Sequence, residues 1–158
     1  MFAKLSLTLL ALSAAVMAQF PDGSFFIRNV ASGKVLDVQH GSTECYPLGR
    51  KESGFDNQLW RYDNGFLVNK ASGLVLEVPG FEGGGDISPG TALQINAKRE
   101  RPESLNQLWA YNYQYIMPYD PKVVIWGQDG DVSTPGSKAV VDRMIHEEVT
   151  QKWMFDLP

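Results

Sequence analysis

The chain has 158 residues, with 14 Lys and Arg against 18 Asp and Glu, for a formal net charge of −4 at pH 7. That acidic balance argues against nucleic acid as a partner, since such binding is driven largely by phosphate neutralisation. Cys45 is the single cysteine, so no intrachain disulfide forms, and it reads as a buried small residue in preference to a handle for dimerisation.

The first 18 residues read as a secretory signal peptide. Lys4 supplies the positive charge, Leu5 to Ala18 is apolar and uncharged, and Val16-Met17-Ala18 precedes the expected cut. This apolar run is 14 residues long, short of the roughly 20 needed to span a bilayer. No later segment is apolar enough to span. The mature chain is expected to begin at Gln19 and to form one exported domain, 19–158. Its size is ordinary for one domain with its own core. The chain contains no N-x-[ST] sequon, so N-glycosylation is not expected.

Downstream, the sequence repeats itself. Residues 26–38, FIRNVASGKVLDV, lie without a gap over 66–78, FLVNKASGLVLEV, with eight of thirteen positions identical. Asn57-Gln58-Leu59-Trp60 recurs at Asn106-Gln107-Leu108-Trp109. A worn third copy follows: 115–127 keeps the apolar run Val123-Val124-Ile125, and Thr150-Gln151-Lys152-Trp153 replaces NQLW. Trp60, Trp109 and Trp153 are spaced by 49 and 44 residues. The repeats run approximately over 25–62, 65–111 and 114–156.

Strands are predicted at 25–30, 34–38, 65–70, 74–78, 91–97, 113–119, 122–127 and 138–143, all rich in β-branched and aromatic residues. Gly33 and Gly73 each close an Ala-Ser-Gly turn that needs positive φ. The third copy has Pro121-Lys122 there, so its turn must differ. Helical patterning is nearly absent, and 142–153 has room for one helical turn. The basic run Lys98-Arg99-Glu100-Arg101 reads as a solvated loop. Repeats of this size cannot each bury a face alone and must share one core. Closure about a threefold axis removes exposed strand edges.

The Gln-x-Trp motifs Gln58-Leu59-Trp60, Gln107-Leu108-Trp109 and Gln151-Lys152-Trp153, with the VLDV and VLEV strands, resemble the ricin B-type lectin family. The likeness covers essentially all of the mature chain and is greatest to small secreted ricin-B-like proteins of fungi. It implies an all-β β-trefoil of three repeats with pseudo-threefold symmetry, twelve strands in all. It also implies shallow sugar pockets, at most one per repeat. Each combines a carboxylate on the DV strand, an aromatic before NQ, and the NQ amides. A carboxylate suits vicinal hydroxyls, and an aromatic plane suits the C–H face of a sugar.

Mapped residue by residue, the first pocket would use Asp37, Asn57 and Gln58. Leu48 stands where the aromatic belongs, so Tyr46 is the substitute, with His40 as another platform. The second would use Glu77, Asn106 and Gln107. Ala97 takes its stacking position, and Phe81, in the acidic loop 79–90, is the substitute. In the third, Trp126 replaces the carboxylate, Thr150 the Asn, and Val141 the aromatic; Asp129-Gly130-Asp131 is the remaining source of oxygens. The glutamines Gln58, Gln107 and Gln151 and the tryptophans Trp60, Trp109 and Trp153 carry the fold.

The resemblance therefore implies a carbohydrate-binding protein, weak at any single site, for galactose-type or related glycans or glycoproteins. The alternative is a trefoil that has lost its sugar pockets and acts on proteins, as a secreted inhibitor or a toxin- or effector-like factor. No catalytic or cofactor motif supports an enzyme. His146-Glu147 lacks the second His of a zinc protease, Asp129-Gly130-Asp131 is too short for a calcium loop, and no metal or cofactor is expected.

Overall fold

The computed structural model describes residues 19–158. The expected signal peptide, 1–18, lies outside the described residues.

Thirteen short strands and four 3-10 turns make up the described chain. The first repeat holds β1 (Ser24–Asn29), β2 (Val35–Val38), β3 (Cys45–Leu48) and β4 (Trp60–Asp63). The second holds β5 (Phe66–Asn69), β6 (Val75–Glu77), β7 (Thr91–Ala92), β8 (Gln94–Asn96) and β9 (Ala110–Asn112). The third holds β10 (Tyr115–Met117), β11 (Val123–Gly127), β12 (Ala139–Arg143) and β13 (Trp153–Asp156). One strand more than twelve arises because the third strand of the second repeat breaks at Leu93, whose N–H bonds to Ala139 of the third repeat at 2.9 Å.

Six strands close a ring. Antiparallel ladders join β1 to β4, β4 to β5, β9 to β10, and β13 back to β1. The remaining joints are made by Trp109 N–H to Gly65 O and Trp153 N–H to Gln114 O, each 2.8 Å. Tyrosines reinforce both joints: Tyr62 Oη donates to Trp109 O at 3.2 Å, and Tyr111 Oη to Trp153 O at 3.0 Å. The pairs β2–β3, β6–β8 and β11–β12 are hairpins beside this ring. They tie to one another through β7–β12 and the Glu44–Gln94 bridge. This is the threefold β-trefoil.

The three tryptophans sit in one apolar core with Phe25, Leu36, Leu76, Ile116 and Ile125. Each indole N–H donates to the carbonyl of the second strand of its own repeat: Trp60 to Leu36, Trp109 to Leu76 and Trp153 to Ile125, at 2.9–3.0 Å. Phe20 closes one end of the core against Tyr62, Tyr111 and Phe155, with ring centroids 4.3 to 5.7 Å away.

Several local expectations need correction. Strands β3, β4, β9 and β13 were not predicted from the sequence. Pro47 hides β3, and an edge strand is where proline is tolerated. The run 113–119 is only partly strand, because Tyr113 and Gln114 form a turn with φ of 49° and 68°. A helical turn expected within 142–153 is present as Val149–Gln151. Its two siblings, Asp56–Gln58 and Leu105–Gln107, were unforeseen. Each Gln-x-Trp motif is thus a 3-10 turn running into a strand.

Gly33 and Gly73 take the expected positive φ, 70° and 71°. Their turns are built by Asn29 and Asn69. Asn29 Oδ1 accepts from the amides of Ala31 and Ser32, and its Nδ2 donates to Thr150 O at 2.7 Å. Asn69 Oδ1 accepts from Ser72, and its Nδ2 donates to Asn57 O at 3.1 Å. Each asparagine therefore shapes its own turn and rivets it to a neighbouring repeat. Pro118 stands in the equivalent place of the third copy, and Asp120 organises that turn by accepting from Lys122 and Ile87 amides.

Candidate functional site

In every repeat the buried glutamine holds the chain that precedes its 3-10 turn. Gln58 Oε1 accepts from Lys51 N–H and its Nε2 donates to Gly49 O. Gln107 does the same with Arg99 and Ala97, and Gln151 with Ile145 and Arg143. Lys51, Arg99 and Ile145 are therefore equivalent positions.

In the first repeat, Asp37 lies directly opposite Tyr46 in the β2–β3 hairpin. One carboxylate oxygen accepts from Gln58 Nε2 at 2.9 Å and the other from Asn57 Nδ2 at 3.2 Å. Lys51 Nζ approaches Asp37 to 3.8 Å and donates to Asn57 Oδ1 at 2.8 Å. Asp37 is only 2% exposed. Burial pushes its carboxyl up from the ordinary value, against the opposing pull of Gln58, Lys51 and Asn57. Tyr46 is half-buried and donates to Glu44 at 2.5 Å; Glu44 also accepts from Lys138 at 2.8 Å. With Gln39, Leu48 and Gly136, Tyr46 lines a shallow groove of about 280 Å³. His40 is exposed and lines a separate cleft that Asn57 also borders.

In the second repeat, Glu77 is fully buried and its oxygens accept from four side chains. Gln94 and Asn96 donate to one oxygen at 2.7 and 3.0 Å. Arg99 and Gln107 donate to the other at 2.8 and 3.0 Å. Burial alone would raise this carboxyl, but those donors outweigh it and hold it below the ordinary value. Arg99 also donates to Asn106 Oδ1 at 2.7 Å. Arg99, expected in a solvated loop, is instead the clamp of this site, while Lys98 lies 4.5 Å over the Phe66 ring. Phe81 is partly buried against the main core.

In the third repeat the Trp126 indole fills the carboxylate position and donates to Thr150 Oγ1 at 2.9 Å. Asp131 spends its oxygen locally on Ser133 and Thr134 amides, at 2.8 and 2.9 Å. Hydrogen bonds from Thr134, then Ser133, hold it well below the usual carboxylate range.

Sequence reasoning brought together Asp37, Tyr46, Asn57 and Gln58 in one place, and Glu77, Asn106 and Gln107 in another. It missed Lys51 and Arg99. Their offset of seven and eight residues before Gln58 and Gln107 is the available signal.

A threefold trefoil with a glutamine-held carboxylate on two of its hairpins defines a lectin-type domain. The chain belongs to the ricin-type β-trefoil lectin domain-like family, whose profile matches residues 16–96. Mucoricin of Rhizopus delemar is 44% identical over 52 residues, which make up 30% of this chain and 35% of Mucoricin. The matched part thus spans about a third of that relative. The solution structure of the mdaA-1 domain superposes with a TM-score of 0.76 at 25% identity, covering 90% of this chain and 94% of that one. The Macrolepiota procera ricin B-like lectin, in complex with lactose, gives 0.65 at 24% identity, covering 89% and 100%.

Proposed function

We propose that this chain is an exported, non-enzymatic carbohydrate-binding protein that takes a galactose-type glycan weakly through the first-repeat pocket. The supporting observation is the Asp37–Tyr46 cross-strand pair, with Asn57 and Gln58 fixing the carboxylate. Tyr46 offers the aromatic plane in its groove and Asn57 borders the neighbouring cleft; Asp37, 2% exposed between them, gives its polar contact where a ligand hydroxyl displaces one of its present donors. Lys51 is 41% exposed, lies 3.8 Å from Asp37 and donates to Asn57 Oδ1 at 2.8 Å; a flexible, solvated ammonium yields to a ligand more readily than the planar Arg99 guanidinium, fixed by Glu77, Asn106 and the Glu103 carbonyl. Glu77, Asn106 and Gln107 form the weaker candidate, because Arg99 already takes the hydrogen bonds a sugar would use. The family membership and the lactose complex of the Macrolepiota protein favour a sugar ligand. Residues 1–18 support export, and the secreted protein should begin at Gln19.

A single shallow pocket gains little net energy from solvent-exposed hydrogen bonds, so useful strength comes from clustered glycans. The test is a glycan array with free-sugar competition. Wild type should bind and be competed, Asp37→Ala should lose at least about tenfold, and Glu77→Ala, if folded, should lose less. A blank array with folded protein would overturn the reading. It would favour the alternative of a trefoil that acts on proteins through its loops, such as 79–90 or 126–135.

A further inference from the structure

The threefold relation exposes one surface that the third repeat does not share with the others. In the first repeat Phe26 packs with Val35 and Leu59, and Arg50 lies 4.1 Å over its ring. In the second, Phe66 packs with Val75 and Leu108 beneath Lys98. The third-repeat equivalents are Tyr115 for the phenylalanines, Lys152 for Leu59 and Leu108, and Met144 for Arg50 and Lys98. The leucine of the first two surfaces is missing; Lys152 Nζ still lies over the Tyr115 ring, but at 5.8 Å, and a groove of about 740 Å³ opens there, a size typical of small-ligand sites.

Its rim is unusual. The turn before β5 is Asn64-Gly65, the pair such a turn prefers. The turn before β10 is Tyr113-Gln114, with both residues at positive φ, 49° and 68°. Across the groove Glu147 has φ 64°. Among the described residues, the other non-glycine positions with positive φ are Asn64 and Asp129, residue types that tolerate it. The three strained residues of other types all line this groove. Such strain collects where function holds it in place. Tyr113 is 80% exposed, so neither core packing nor turn preference explains it.

The chemistry is that of a sugar site. Tyr113 presents an open aromatic face. Glu147 lies 3.7 Å from His146 and 3.9 Å from Lys152, beyond hydrogen-bond length, so its oxygens keep free acceptor capacity. Asn112 and Gln114 add amides, and Tyr115 with Met117 forms an apolar floor.

We infer that this groove is a second glycan site, taking a hexopyranose ring stacked on Tyr113 with hydroxyls on Glu147 and the neighbouring amides. It rests on the glycan-binding reading for its ligand class, but not on the first-repeat pocket.

Saturation-transfer NMR with methyl galactoside, methyl glucoside, methyl mannoside and methyl N-acetylglucosaminide tests it. The variants are Tyr113→Gly, which relaxes the turn, and Lys152→Leu, which restores the leucine of the other repeats. Thermal melts check that both fold. At least one glycoside should show transfer that persists in Asp37→Ala and falls severalfold in both groove variants. Transfer unchanged in both groove variants overturns this site, and if it is then lost in Asp37→Ala the first-repeat pocket stands alone. No transfer to folded wild type from any of the four overturns both.

Discussion

Asp37 and Glu77 occupy equivalent positions, yet their surroundings shift them in opposite directions. Glu77 is held below its ordinary value of 4.5 by its donors. Its stabilising contribution is therefore complete above that value and is lost as pH falls through the folded value. Asp37 is raised above 3.8 by burial. Its contribution is greatest below that value and declines as pH rises through the folded one. Glu77→Gln should cost about 2 kcal/mol at neutral pH, because Arg99 loses its partner. Its stability should also fall less steeply than wild type below about pH 4.5. Asp37→Asn should stay within about 1 kcal/mol of wild type at neutral pH and converge on it in acid. Urea denaturation across a pH series measures both. Cys45 meets its expectation of burial, at 1% exposure; burial, then the charges of Asp37 and Glu44, push its thiol up.

At the scale of the element, the turns carry more than their glycines announce. Asn69 is 1% exposed and joins its own turn to the Asn57 carbonyl of the first repeat. Asn69→Ala should cost about 2 kcal/mol by chemical denaturation, from buried hydrogen bonds left unmade. It should also weaken first-repeat sugar binding, since Asn57 loses that anchor. The glycines were legible because positive φ has a plain residue preference. The asparagine rivets were not, because each bonds a main-chain carbonyl of another repeat, which has no residue preference to read: Thr150, 121 residues from Asn29, and Asn57, 12 residues from Asn69. Arg99 was misread for a similar reason. A charge run looks solvated until the loop around it places one guanidinium against a buried carboxylate. Strand β3 was missed through Pro47, and the 3-10 turns through their three-residue length, too short to show a helical period.

Across the whole molecule, the repeated phrases at 26–38 and 66–78 made the trefoil readable, since copies that cannot fold alone must share a core. The site was only partly readable. Sequence placed Asp37 and Glu77 alike, but the two carboxylates meet different cations, Lys51 and Arg99, which differ in exposure, 41% against 26%. The three copies have diverged: a carboxylate opposite Tyr46 in the first, a carboxylate clamped by Arg99 in the second, and in the third an indole bonded to Thr150, with a separate open groove lined by Tyr113 and Glu147. The central claim is that the first of these takes a glycan. Amide chemical-shift mapping of the labelled, folded protein during titration with the glycan best bound on the array tests it most directly. The account predicts saturable shifts at Asp37, Tyr46 and Asn57, absent in Asp37→Ala. Saturable shifts confined to other residues, or no shifts at all, would contradict it.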